Sequence, residues 1–106
     1  MSNAYQKAIA IDFDGTLCTN KWPLIGKPKW RVIKMALRKR KRGYALILWT
    51  CREGVLLDEA LAKCGEWGLC FDAVNESLPQ WICKFGNDCR KIGANEYWDD
   101  KARRIL

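Results

Sequence analysis

The chain contains no histidine in its 106 residues. That absence excludes Ser-His-Asp and Cys-His catalysis and every His-ligated metal site. Any enzyme built from this sequence works with carboxylates, lysine, arginine, hydroxyls, thiols and backbone amides. Apolar runs are short, and none approaches the ~18–20 residues that a membrane span requires. The start, MSNAYQKAIAIDF, lacks the basic, apolar and small-residue succession of a secretory signal. Residues 1–4 carry no weight, since Ser-Asn-Ala is also a common cloning remnant, and disorder is expected there. A cytoplasmic protein is the expectation. Proline is scarce at three residues, and there are no low-complexity tracts, repeats or linkers. One domain covering residues 1–106 follows.

Six cysteines are present, but Cys18, Cys51, Cys64, Cys70, Cys83 and Cys89 include no C-x₂₋₄-C pair, which argues against zinc. Without a secretory signal a disulfide framework is not expected. These thiols read mostly as small buried hydrophobes.

The net charge is +7, and the cations concentrate between Lys27 and Arg42. Such a block suits a phosphate-rich partner, nucleic acid included. It equally suits the solvated face and C-terminal turn of a helix, where cations complement the macrodipole.

Periodicity gives the order of elements. Lys7–Phe13 reads as a strand apolar enough to be covered on both faces. Residues 14–27 read as a loop. Pro28 opens a helix that Gly43 stops after a basic last turn. Tyr44–Trp49 reads as a second strand, Val55–Trp67 as a second helix, and Leu69–Val74 as a third strand. Trp81–Phe85 is expected as a helical turn, and Ala94–Asp100 as a last strand. The alternation predicts one open, Rossmann-like α/β domain with a mostly parallel sheet and helices on both faces.

In such sheets sites form at the carboxyl ends of the strands. Asp12 and Asp14 leave the first strand, Thr50 the second, and Asp99 and Asp100 the last; Lys91 precedes the last. A buried carboxylate is costly unless paired, hydrogen-bonded or metal-bound. Asp12 and Asp14, two residues apart, would project to one face of a regular strand. A calcium EF-hand loop starting at Asp12 is excluded, because its sixth and twelfth positions hold Leu17 and Pro23. Carboxylates without soft ligands suit a hard divalent ion, above all Mg²⁺. Mg²⁺ in turn suits a phosphoryl substrate. Gly15 permits close backbone approach, Thr50 offers a hydroxyl donor, and Lys91 balances charge. Arg52 reads either as a substrate contact or as a partner of Glu53 or Asp58. Trp22 is the tryptophan best placed to be exposed beside the site.

DFDGTL, a strand ending in LWTCREG, a lysine, and YWDDKA together resemble the haloacid dehalogenase (HAD) superfamily of phosphotransferases. The resemblance is to small capless members carrying IDFDGTL, WPLIGKP, LWTCREG, FDAVNES, RKI and DD in this order. It implies a HAD-like fold with no cap domain and a Mg²⁺-dependent phosphatase. Asp12 would be the nucleophile that forms an aspartyl-phosphate, and Asp14 the general acid and then base. Thr50 would hold the phosphoryl group, with Gly15, Thr16, Cys51 and Arg52 near the substrate, and Lys91 would position the nucleophile. Asp12, the Asp14 carbonyl, Asp99 and Asp100 would hold the metal, Asp99 more directly than Asp100. An uncovered site admits large substrates or is closed by a partner. The few residues after Asp100 leave one sheet face thinly covered, which suits a truncated chain or a homodimer. Two other readings stand beside the hydrolase: a nucleic-acid-binding module on an inactive scaffold of this kind, and a phosphotransferase or nucleic-acid-end phosphatase.

Overall fold

Four strands and two helices form the body of the computed structural model, which describes residues 6–79 and 92–101. Strands β1 (Ala8–Asp12), β4 (Ala45–Trp49), β5 (Ala73–Val74) and β6 (Glu96–Trp98) make one sheet in the order β5-β4-β1-β6. All its pairings are parallel. Helix α1 (Trp30–Lys41) joins β1 to β4 after an intervening hairpin, β2 (Cys18–Lys21) and β3 (Leu24–Pro28). Helix α2 (Gly54–Glu66) joins β4 to β5. The result is an α/β domain with β1 at its centre.

The alternation in β1 and β4 sorts the core into two layers. Ile9, Ile11, Leu46 and Leu48 face α1 through Ile33 and Ala36, and α2 through Ala60 and Cys64. Ala8, Ala10, Ala45 and Ile47 face the other way, against Ala73, Leu78 and Ile92. Both described helices therefore cover the same face of the sheet. The expectation of helices on both faces is met on this one; the segment that joins Leu78 to Ile92 on the other face lies outside the described residues. The helical turn expected at Trp81–Phe85 lies outside the described residues. Among the described residues no helix is long and apolar enough to cross a membrane.

Three local expectations are corrected. Residues 14–27 are not simply a loop but contain the β2–β3 hairpin, anchored by Leu17 and Cys18, both fully buried. Gly26 makes the hairpin possible, because a Cβ there would lie 1.9 Å from the Thr19 carbonyl oxygen. Pro28 ends β3 opposite Cys18 instead of opening the helix, which starts at Trp30. The third strand shrinks to Ala73–Val74, because Leu69 N–H donates to the Cys64 carbonyl and so belongs to the closure of α2. Asp72 then turns its carboxylate inward to accept from Leu46 N–H (2.9 Å) and Arg40 (3.0 Å).

Candidate active site

The site begins where β1 stops. After Asp12 the chain turns: the Phe13 carbonyl accepts from Thr16 N–H and Leu17 N–H, and Gly15 N–H donates to the Cys18 carbonyl. Gly15 adopts a φ of +90°, which glycine takes without a Cβ penalty. Its missing Cβ leaves room for another segment as well, since a Cβ there would lie 2.2 Å from Asp100 Oδ2. Thr16 Oγ1 accepts from Asp100 N–H at 3.0 Å. The β1 turn thereby holds the end of β6, 84 residues further along the chain.

This docking brings Asp12, Asp99 and Asp100 together, with one oxygen of each within 4.8 Å of the others. Asp12 and Asp99 are partly buried and Asp100 is exposed. Partial burial raises the Asp12 carboxyl from its ordinary 3.8 to about 6, and the negative charge of Asp99 adds to the rise. Asp100 and Asp14 push the same way, against a stabilising hydrogen bond from Phe13 N–H. These three carboxylate oxygens form a group that could hold a metal ion.

Asp14 sits apart from that triad. Its Oδ2 accepts from Arg52 Nε and its Oδ1 from Arg52 Nη2, both at 2.8 Å. This bidentate fork raises the Arg52 pKa. Arg52 is only 2 % exposed, and its guanidinium lies 5.1 Å from the centroid of Phe13. It also donates to the Pro23 and Leu24 carbonyls, at 3.2 and 3.0 Å. One buried cation thus ties Asp14 to the tip of the β2–β3 hairpin. Sequence reasoning placed Arg52 near substrate or beside Glu53 or Asp58. The structure gives it to Asp14, and an arginine following two strand-end positions carried no sign of that.

At the end of β4, Thr50 N–H donates to Asn75 Oδ1 (2.7 Å) and Thr50 Oγ1 accepts from Arg52 N–H (3.1 Å). The Thr50 hydroxyl hydrogen stays available to a ligand. Asn75, at φ +55°, is a site residue that the sequence reading missed; its place just after β5 was the available signal. Asp12, Asp14, Thr50, Cys51, Asp99 and Asp100 all border one cleft of about 640 Å³. Gly15 and Thr16 border a neighbouring hollow of about 390 Å³, on which Asp99 and Asp100 also lie. Lys29, in that hollow, donates from Nζ to the Gly15 carbonyl at 2.6 Å, and was not singled out from sequence. Lys91 lies outside the described residues.

No family model matches the chain, and no curated protein matches it. A solved structure does: that of a conserved protein coded by a locus of Bacteroides thetaiotaomicron. The two chains are 35% identical and superpose with a TM-score of 0.77, over 92% of this chain and 78% of that one. The chain belongs to the family of that protein. Likeness at this level over most of both chains extends to the parallel sheet and its connections.

Proposed function

We propose that the protein is a Mg²⁺-dependent phosphomonoester hydrolase of the haloacid dehalogenase type, acting without a cap domain through Asp12. The observation that carries the reading is the meeting of Asp12 with Asp99 and Asp100 in a cleft that also holds Thr50. Carboxylates with no soft donor among them suit a hard divalent cation. Asp12, Asp99 and Asp100 would hold Mg²⁺, which when bound would screen the charge of the phosphoryl group and of the carboxylates themselves.

The protein's own residues divide the remaining work. A carboxylate oxygen of Asp12 attacks phosphorus, forming the acyl-phosphate bond as the bond from phosphorus to the leaving oxygen breaks. Thr50 donates its hydroxyl to a phosphoryl oxygen. Asp14 gives a proton to the leaving oxygen, then takes one from the water that attacks the aspartyl-phosphate; Asp12 and inorganic phosphate are released. Arg52 occupies one acceptor position on each Asp14 oxygen, and a carboxylate has about four. The fork therefore orients Asp14 while leaving lone pairs on its cleft side. Lys91 remains the candidate for balancing charge at the nucleophile.

The test is phosphate release from a panel of sugar phosphates, nucleotides and acyl phosphates, with Mg²⁺ and with a chelator. Activity is expected with Mg²⁺, abolished by the chelator and by Asp12→Asn. Full Mg²⁺-dependent turnover by Asp12→Asn would rule the mechanism out. Transfer of the phosphoryl group to an added alcohol in place of water would reassign the reaction to a phosphotransferase.

A second reading draws on α1. Arg31, Lys34, Arg38 and Lys41 are exposed and recur at helical spacing, so they form one basic face. Lys39 and Arg40 are instead held by Glu96 and Asp72. A nucleic-acid-binding module on an inactive scaffold would use that face. Its mark is salt-dependent oligonucleotide binding with no phosphate release.

A further inference from the structure

Two tryptophans stand in the mouth of the acidic cleft. Trp22, at the tip of the β2–β3 hairpin, is 59% exposed, and Trp49, the last residue of β4, is 39% exposed. Large aromatic rings left in water forgo the burial that usually stabilises them. A flexible tip would make the exposure of Trp22 incidental, but this tip is held. Trp22 N–H donates to Asn20 Oδ1 at 3.3 Å, and the buried Arg52 grips the two carbonyls that follow. The ring is thus presented on a tether that starts at Asp14. Trp49 is fixed differently, by its place in the sheet and by an edge-on contact with Tyr97 at 5.9 Å between ring centroids.

The polar neighbours of these rings add a second requirement. Asn20 and Asn75 both border the cleft, and each uses its side-chain oxygen on a backbone N–H, of Trp22 and Thr50 respectively. Their amide NH₂ groups are what they have left to offer, so this wall of the cleft presents donors. Flat apolar surface beside hydrogen-bond donors matches a planar ring that carries acceptors. The volume, about 640 Å³, lies within the ~300–1,000 Å³ of small-molecule sites and takes such a ring together with a sugar and a phosphate.

We infer that the substrate's leaving group carries a planar heteroaromatic ring, as a nucleotide does, and that Trp22 and Trp49 form its stacking subsite. The inference rests on the phosphatase reading for the phosphoryl end; the ring end is set by the tryptophans and asparagines. The same chemistry is found in a free nucleoside monophosphate and at the phosphorylated end of a single strand.

The experiment compares kcat/KM of the full chain with Mg²⁺ on three esters: a nucleoside 5′-monophosphate, a 5′-phosphorylated oligonucleotide and glycerol phosphate. At least one nucleic-acid-type ester is expected to be preferred over glycerol phosphate by tenfold or more, and the better of the two identifies the source. Base stacking on one aromatic ring is worth roughly 5- to 150-fold. Trp22→Ala should reduce the preference ratio by about that factor, whereas Trp22→Phe, which keeps a stacking face, should retain most of it. Equal turnover of all three esters, or a preference that survives Trp22→Ala, would overturn the subsite while leaving the phosphatase reading intact. If no ester is hydrolysed, the phosphatase reading falls, and quenching of tryptophan fluorescence decides the subsite alone. Quenching by the nucleoside monophosphate but not by glycerol phosphate, weakened in Trp22→Ala, would sustain it; no quenching would end it.

Discussion

Replacing Asp12 by asparagine should stabilise the metal-free protein even as it removes the proposed nucleophile. Partial burial and the neighbouring charges of Asp99 and Asp100 raise the Asp12 carboxyl from 3.8 to about 6. Such a rise means that the folded state disfavours the ionised form. Its full equivalent is about 3 kcal/mol, but Asp12 is only half-buried, and screening by water brings the effect nearer to about 1 kcal/mol. The sign follows from linkage. With the folded value above the unfolded one, the penalty is fully present above pH ~6 and fades as pH falls toward 3.8. In chelator at pH 7.5, Asp12→Asn should therefore raise Tm by about 4–8 °C for a domain of this size. The gain should vanish near pH 4. Mg²⁺ should reverse the ranking, because a cation that binds only the folded state stabilises the natural protein in proportion to its occupancy. The assay is thermal unfolding of both proteins across pH 4–8, with Mg²⁺ and with chelator. A lower Tm for Asp12→Asn in chelator at pH 7.5, or an equal Mg²⁺-induced rise in both proteins, would refute the account of the acidic group.

Arg52→Lys should cost about 2 kcal/mol in urea unfolding, since an ammonium cannot reproduce the fork on Asp14 and the two hairpin contacts together. Unchanged stability with unchanged amide exchange in the hairpin would count against the tether. Gly15→Ala should displace Asp100, whose Oδ2 would lie 2.2 Å from the new Cβ. Mg²⁺ affinity, measured by calorimetry, is expected to fall at least tenfold, and an undiminished affinity would remove Asp100 from the proposed metal site. Burial pushes the Cys64 thiol up to about 12, and Cys18 is raised for the same first reason. Peptide mapping after alkylation at pH 8 should find the exposed Cys51 and Cys70 modified in the folded protein, with Cys18 and Cys64 modified only on unfolding. Rapid labelling of Cys64 would contradict the packing under α2.

The parallel sheet was legible because its signals are redundant. Ala8–Asp12 and Ala45–Trp49 are apolar runs of strand length, and each of the two helices ends at a glycine, Gly43 and Gly68, with positive φ. The convergence of Asp12 with Asp99 and Asp100 was legible for a topological reason: parallel neighbours deliver their C-terminal residues to one rim. What stayed hidden depends on contacts between distant segments. The β2–β3 hairpin has a proline at its tip and few apolar residues, so residues 14–27 look like a loop; Gly26 shows its purpose only once Thr19 lies against it. The third strand is shortened because Leu69 closes α2 on the Cys64 carbonyl, and the Asp72 carboxylate caps Leu46 N–H; no periodicity records either contact.

Arg52 is the point at which fold and site become hard to separate. A buried guanidinium needs its donors satisfied, and here Asp14 and two hairpin carbonyls accept them. Removing any one of these partners leaves the others holding an under-satisfied charge. The stability of the hairpin and the orientation of Asp14 are therefore one quantity, not two. Perturbing the hairpin at a distance from the acids, as Gly26→Ala does by driving a Cβ against the Thr19 carbonyl, should loosen Asp14 without touching it. The expected signature is a loss in kcat larger than the loss in Mg²⁺ affinity, since Asp12 is held in β1 and Asp100 by Thr16, not by the hairpin tip. Parallel losses in both would mean that the turn and the tip move as a unit, and that Arg52 is not the separate link described above.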